Sequence, residues 1–218
     1  MSKELATFEF ECRKCLACRL NIAREKSIRV YHESKTWEKS IFLTLTYNDE
    51  NLISPKLQYL DFQLFMKRLR EEVTRGIKDK ELKKQLQISY MVTGEYGDKN
   101  KRPHWHALIF NYEPIDKKLL RTTPLGHQVY ESRTLSNLWN KGLIEFGNIT
   151  IESANYVARY AAKKLTHGND QDHDYHPIHK TSSKNAIGKK WIEQHYKHTF
   201  QNGFVIIDGS PTRIPDIS

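Results

Sequence analysis

The chain has 218 residues, 38% of them hydrophobic and 28% charged, a balance that fits an ordinary globular protein rather than a disordered or membrane one. No apolar run approaches the ~20 residues of a bilayer span, and the opening MSKELATFEFECRK has no apolar signal core, so a cytoplasmic address and no membrane partner are expected. Thirty-five Lys+Arg against 26 Asp+Glu leave a net charge of +9, which favours a polyanionic partner without choosing among DNA, RNA and a lipid surface.

The length suits one substantial core, read as a single domain over 1–218. In chain order, the first feature is a Cys-rich segment, 12–18. The three cysteines of the chain, Cys12, Cys15 and Cys18, form an odd, tightly spaced set, a poor disulfide framework that fits a reducing compartment. CxxCxxC supplies three thiolates where a closed tetrahedral zinc site takes four ligands. The cysteines are therefore candidates for structural Zn2+, with His32 or a histidine of the 167–198 region as the fourth ligand. The competing reading is three reduced thiols near a helix start.

LACRLNIAREKSIRVYHESKTW follows, with Leu16, Leu20, Ala23, Ser27, Val30 and Ser34 at three- and four-residue steps, which predicts an amphipathic helix packed closely on a sheet. SIFLTLTYND predicts a strand with Phe42, Thr44 and Thr46 on one face and Ile41, Leu43, Leu45 and Tyr47 on the other. LDFQLFMKRLREEVTR, 60–75, predicts a helix whose buried stripe is Leu60, Leu64, Phe65 and Leu69. KDKELKKQ either prolongs that helix or forms a surface loop. QISYMVTGEYG and HWHALIF predict a hairpin through the turn residues DKNKRP.

Residues 111–132 show little periodicity and are expected to be mostly loop. TLSNLWNKG reads as a short helix stopped by Gly142, LIEFGNITIE as a strand, and ESANYVARYAAKKL as a helix beginning near Ser153. The stretch 166–184 is polar and His-rich, expected as a mobile loop. A helix around KKWIEQHYK and a strand GFVIID close the pattern. No GxxxxGK[ST] loop occurs, so no ATP-driven motor is expected within the chain. The sum is an α+β fold, a central antiparallel β-sheet flanked by helices.

Chemistry concentrates in two places. Alternation along a strand sends His104 and His106 to one face and Trp105, Ala107 and Ile109 to the other. If 88–95 pairs antiparallel with 103–110, Glu95 falls within ~5 Å of the start of its partner. Two imidazoles and a carboxylate with positions left open suit a divalent ion, Mg2+ or Mn2+, that also holds phosphate oxygens. HxH alone is more often a structural pair. Tyr156 and Tyr160, four apart on a predicted helix, place both phenols on one face, with Lys163 and Lys164 on the next turn. An ammonium stabilises a phenolate or the charge developing on a phosphate. The competing reading is aromatic packing beside a solvated lysine pair.

FLTLTYND, GEYGDKNKRPHWHALIF and YVARYAAKK, in that order and in strand, hairpin and helix contexts, resemble the three motifs of HUH endonucleases (the Rep nuclease fold). More narrowly, the chain resembles the replication initiation proteins of small single-stranded DNA phages of the microvirus and gokushovirus group, whose N-terminal pattern CRKCLACRL and HESKTW also match. The resemblance implies that Glu95, His104 and His106 bind the metal, and that Tyr156 and Tyr160 attack origin DNA. The products would be a 5′-phosphotyrosine link and a free 3′-hydroxyl. Lys163 stands three residues after Tyr160, as in the single-tyrosine YxxK form, and Trp105 replaces the usual aliphatic between the histidines.

The implied activity is rolling-circle initiation on single-stranded origin DNA in a bacterial host, with host helicase and polymerase as partners. Lys99, Lys101, Arg102 and Arg159 are DNA-binding candidates by proximity to the motifs. Two further readings stay open: a non-catalytic nucleic-acid-binding module of the same fold, and a zinc-stabilised nuclease using metal-activated water.

Overall fold

The computed structural model describes residues 12, 15–97, 100–163, 178–182 and 186–215, with the backbone alone at 160–163. Its elements are α1 (Leu16–Lys35), β1 (Ser40–Thr46), α2 (Tyr59–Val73), α3 (Lys80–Gln85), β2 (Ser89–Tyr96), β3 (Pro103–Phe110), β4 (Lys118–Thr122), β5 (Gln128–Glu131), α4 (Arg133–Trp139), β6 (Ile144–Asn148), α5 (Ile151–Lys163), β7 (Ile178–Thr181), α6 (Lys189–Asn202), β8 (Phe204–Ile207) and β9 (Ser210–Arg213). Seven strands form one sheet in the order β4-β5-β6-β1-β3-β2-β7, every neighbouring pair antiparallel. A separate hairpin joins β8 to β9. This is the expected α+β architecture, an antiparallel sheet flanked by helices, consistent with an HUH endonuclease fold.

The two sheet faces are built for different ends. On one, Ile41, Leu43, Leu45, Val92, Trp105, Ala107 and Ile109 pack against Phe62, Phe65, Met66 and Leu69 of α2 and Leu135 and Trp139 of α4. Each Val, Leu, Ile, Phe or Met among them taken fully out of water contributes ~1.5–3 kcal/mol. On the other, Met91, Leu108 and Phe110 lie under Val30 of α1 and Ala154 and Val157 of α5. Farther along the same strands that second face becomes polar, at Thr44, Glu95, His104 and His106. The predicted faces of β1 and β3 are the observed ones.

Gly94 secures the relation of the two faces. It stands opposite Trp105 in the β2–β3 register, and a Cβ there would lie 2.5 Å from the Trp105 ring. The indole fills the space the glycine leaves, and its Nε1 donates to Tyr47 Oη at 3.0 Å.

Several elements depart from expectation. The buried stripe of α2 is Phe62, Phe65, Met66 and Leu69, while Leu60 and Leu64 face outward. Both sets are helically spaced, and the shape of the sheet core selects the aromatic one. The KDKELKKQ stretch is its own short helix, α3, started by Asp79, whose carboxylate accepts from the Glu81 and Leu82 amides. Residues 111–132 hold the β4–β5 hairpin, fastened by Tyr130 stacked on Phe146. Helix α4 stops at Asn140 in the left-handed conformation (φ 48°) rather than at Gly142. Gly142 instead lets the chain pass against the end of β1, where a Cβ would lie 2.3 Å from the Thr46 carbonyl oxygen. Helix α5 begins at Ile151, because Thr150 and Ser153 cap each other's amides. Within the His-rich stretch 166–184, residues 178–181 form β7 on β2, and 166–177 and 183–184 lie outside the described residues.

His32 is buried, 3% exposed, and stacks on Trp191 of α6 with ring centroids 3.6 Å apart. Burial holds its imidazole down at about 4, a hydrogen bond to the Ile206 backbone partly opposing and the charge of His195 adding to the fall.

Two outcomes are expected. Gly94→Ala forces the indole to shift and costs about 1–3 kcal/mol of unfolding free energy in urea denaturation. For His32, the unfolded ring takes up a proton near pH 6.5 that the folded ring refuses until about 4. Its contribution is therefore intact above pH 6.5, declines as pH falls from about 6.5 toward 4, and declines no further below. Urea midpoints of His32→Phe across that window should fall less steeply than those of the wild type.

Candidate active site

The β2–β3 hairpin sets Glu95 directly opposite His104, and Thr93 opposite His106. Glu95 Oε1, 4% exposed as a residue, lies 3.0 Å from His104 Nε2 and 2.8 Å from His106 Nε2. The two rings meet edge to face with centroids 5.0 Å apart. Their outer nitrogens are engaged elsewhere. His104 Nδ1 donates to the Arg102 carbonyl at 3.1 Å, and His106 Nδ1 is 3.0 Å from Thr44 Oγ1.

A carbonyl can only accept, so the hydrogen of a neutral His104 sits on Nδ1 and the Nε2 lone pair is turned toward Glu95. Two imidazole nitrogens and a buried carboxylate oxygen converging within 4.8 Å of one another need positive charge among them. A divalent ion meets that need, and two nitrogens with one carboxylate leave coordination positions open. The outer hydrogen bonds are those that orient metal-bound histidines. Glu95, His104 and His106 therefore fit the ion expected of them.

Helix α5 brings Tyr156 to the same point. With Ala154 and Val157 buried toward the sheet, Tyr156 falls at the rim of the helix face, 38% exposed. Its hydroxyl donates to Glu95 Oε1 at 2.5 Å and is 3.4 Å from His106 Nε2. Phe42 of β1 stacks on His106 (centroids 5.6 Å) and meets Tyr156 edge-on (6.4 Å). Beside this cluster opens a cleft of about 650 Å3 whose walls include Phe42, His106, Arg121, His127, Glu145 and Tyr156. Arg121 and Glu145 are tied to each other by two hydrogen bonds of 2.5 and 2.7 Å.

The other sequence candidates divide. Tyr160 and Lys163 lie on the backbone of α5, one turn and nearly two turns after Tyr156. Lys164 and Lys99 are outside the described residues. Arg159 is exposed on α5 and Lys101 is exposed in the hairpin turn with φ 47°. Arg102 is occupied structurally: Nε and Nη2 donate to the Tyr47 carbonyl and Nη1 pairs with Asp49 at 2.7 Å, tying the hairpin to the end of β1. His32 cannot be the fourth ligand for the cysteines, since 14 residues of helix separate it from Cys18, ~21 Å along the axis. Sequence reasoning passed over Thr44, Phe42 and the cleft. Placing Phe42 and Thr44 on one face of β1 was the available signal, but not the pairing of Thr44 with His106.

Residues 40–165 match the family model of the replication-associated protein ORF2, a span that contains all three motif stretches. Among curated relatives, the chain is 62% identical over 216 residues to replication-associated protein VP4 of Bdellovibrio phage phiMH2K, covering 99% of this chain and 68% of that protein. It is 33% identical over 202 residues to replication-associated protein ORF2 of Spiroplasma virus 4, covering 90% of this chain and 61% of that one. Replication-associated protein ORF4 of Chlamydia phage 1 is 29% identical over 210 residues, 93% of this chain and 51% of its own. The chain thus spans between half and about two thirds of these proteins. No solved structure matches it.

Removing the Thr44 hydroxyl leaves His106 without its outer partner. Thr44→Val should weaken Mn2+ binding about 10–100-fold, as loss of an outer-shell partner does, with little change in the far-ultraviolet circular dichroism. Isothermal titration calorimetry reads the difference.

Proposed function

This chain belongs to the family of the replication-associated protein ORF2, and on that premise we propose that it initiates rolling-circle replication by nicking and rejoining single-stranded origin DNA through a tyrosine. The observation that carries this reading is the Tyr156 hydroxyl at 2.5 Å from Glu95 Oε1 and 3.4 Å from His106 Nε2. An aromatic serving only to pack would bury its ring. Tyr156 keeps it at the rim of an open cleft and directs its hydroxyl at the acidic centre.

Glu95, His104 and His106 would hold Mg2+ or Mn2+, which supplies charge stabilisation at the oxygens of the scissile phosphate. Tyr156 Oη attacks phosphorus. The Oη–P bond forms, the bond from phosphorus to the 3′ oxygen breaks, and the 3′-hydroxyl departs with a proton. The phenolic proton is given up to water as the departing 3′ oxygen takes one up from it, so the exchange balances and Glu95 stays ionised as a ligand. The product is a 5′-phosphotyrosine diester, whose bond retains much of the free energy of the cleaved linkage, so joining follows by the reverse exchange without ATP.

Tyr160, one turn on, is the second nucleophile. With Tyr156 and Tyr160 alternating, one holds the covalent strand while the other attacks. Lys163 and Lys164 follow in the sequence, and an ammonium from either would offset charge on phosphate or phenolate. The cleft walled by Phe42, His106 and Tyr156 receives the strand, with stacking and basic side chains, Arg159 and Lys101 among them, holding bases and phosphates. Lys99 belongs to the same basic stretch of sequence as Lys101, and Arg102 supports the hairpin from within. Among the described residues no helix is long and apolar enough to cross a membrane. The site of action is the cytoplasm of a bacterial host, alongside its helicase and polymerase.

A denaturing gel tests this. With labelled single-stranded origin DNA and Mn2+, the wild type should yield protein carrying covalent oligonucleotide. Tyr156→Phe should reduce cleavage more than about 100-fold, and Tyr156→Phe with Tyr160→Phe should abolish the adduct while DNA binding persists. Binding with no adduct from the wild type would favour the non-catalytic module; cleavage with no adduct would favour metal-activated water.

A further inference from the structure

Cys12, Cys15 and Cys18 lie outside the chemistry above, and their geometry is that of a metal knuckle. Their ligand atoms all fall within 4.8 Å of one another. The Cys12 thiol donates to Cys18 Sγ at 3.7 Å, too far for a disulfide at ~2.05 Å. Two sulfurs bound to one tetrahedral zinc at ~2.3 Å each must stand ~3.8 Å apart. An iron–sulfur cubane, in which each cysteine binds a different iron, spreads its sulfurs farther.

The backbone supports the same arrangement. The Cys15 amide donates to Cys12 Sγ at 3.3 Å and the Cys18 amide to Cys15 Sγ at 3.5 Å, so each of these sulfurs carries an amide donor suited to a thiolate. Cys15 is the N-cap of the 20-residue α1, whose first turn has no acidic residue. The positive end of that helix therefore lies beside the sulfurs.

We propose that Cys12, Cys15 and Cys18 supply three of the four ligands of a tetrahedral zinc ion that fastens the segment before α1 to its first turn. Binding forms three Zn–S bonds and releases three protons, one from each thiol. The chain would then hold two metals sorted by softness: zinc on the thiolates, and a harder divalent ion on Glu95, His104 and His106. Because α1 packs on α5, which carries Tyr156, the zinc steadies the helix behind the nucleophile.

The test uses the full chain with zinc exchanged for Co2+, because a sulfur-to-cobalt charge-transfer band in the near ultraviolet arises only from thiolate ligands and the His–Glu centre cannot produce it. The wild type should bind one equivalent showing that band. Cys12→Ser, which lies before the helix and should fold normally, should weaken the band, and the triple Cys→Ser variant should lack it while still binding Mn2+ at the other centre. X-ray absorption of the zinc form should give three sulfur neighbours at about 2.3 Å. Protein that folds and loads no zinc, or whose cobalt spectrum is unchanged by the cysteine substitutions, or whose thiols are all alkylated at the free-thiol rate after zinc loading, would overturn the proposal. None of these results depends on whether DNA is cut.

Discussion

A slip of one residue between β2 and β3 would turn Glu95 into the core and present Gly94 to the histidines, because side chains alternate with a period of two. What prevents the slip lies on the opposite face. Trp105 occupies the volume that only a glycine at position 94 leaves open, and its indole nitrogen is held by Tyr47. The apolar packing thus determines which atoms meet on the polar side. Arg102 reinforces the arrangement by holding the turn against Tyr47 and Asp49, and its own carbonyl orients His104.

Helix α5 depends on that frame in turn. Reciprocal capping by Thr150 and Ser153 sets where the helix begins, and small Ala154 and Ala158 let it lie close to the sheet. With Val157 turned inward, Tyr156 is delivered to the rim. The same sheet face is therefore dry where α1 and α5 cover Leu108 and Phe110, and reactive where the cover ends. A buried carboxylate surrounded by two imidazoles and a phenol is costly without compensating charge. Its position at the edge of the cover leaves it open to an ion and a phosphate.

The polar centre was legible because alternation and turn chemistry are local. HWH on a strand, a hairpin through DKNKRP, and tyrosines four apart each follow from spacing along the chain. Less legible were features whose cause lies elsewhere in the molecule. The β4–β5 hairpin carries no clear apolar alternation, since β4 is exposed along its whole length. In α2, Leu60 and Leu64 compete with Phe62 and Met66 for the buried stripe, and nothing within the helix decides between them. Asn140 rather than Gly142 ends α4 because Gly142 is needed where the chain crosses the end of β1.

The amino-acid order alone thus settled an α+β chain with a sheet-borne Glu–His–His candidate and a helix bearing paired tyrosines, because periodicities of 2 and 3.6 are written into neighbouring residues. Tertiary structure alone decided that Thr44 steadies His106, that Phe42 and the β4–β5 hairpin wall a cleft, and that Tyr156 reaches Glu95. Those meetings join segments tens of residues apart. They depend on which surfaces exclude water together, and no local pattern contains that information.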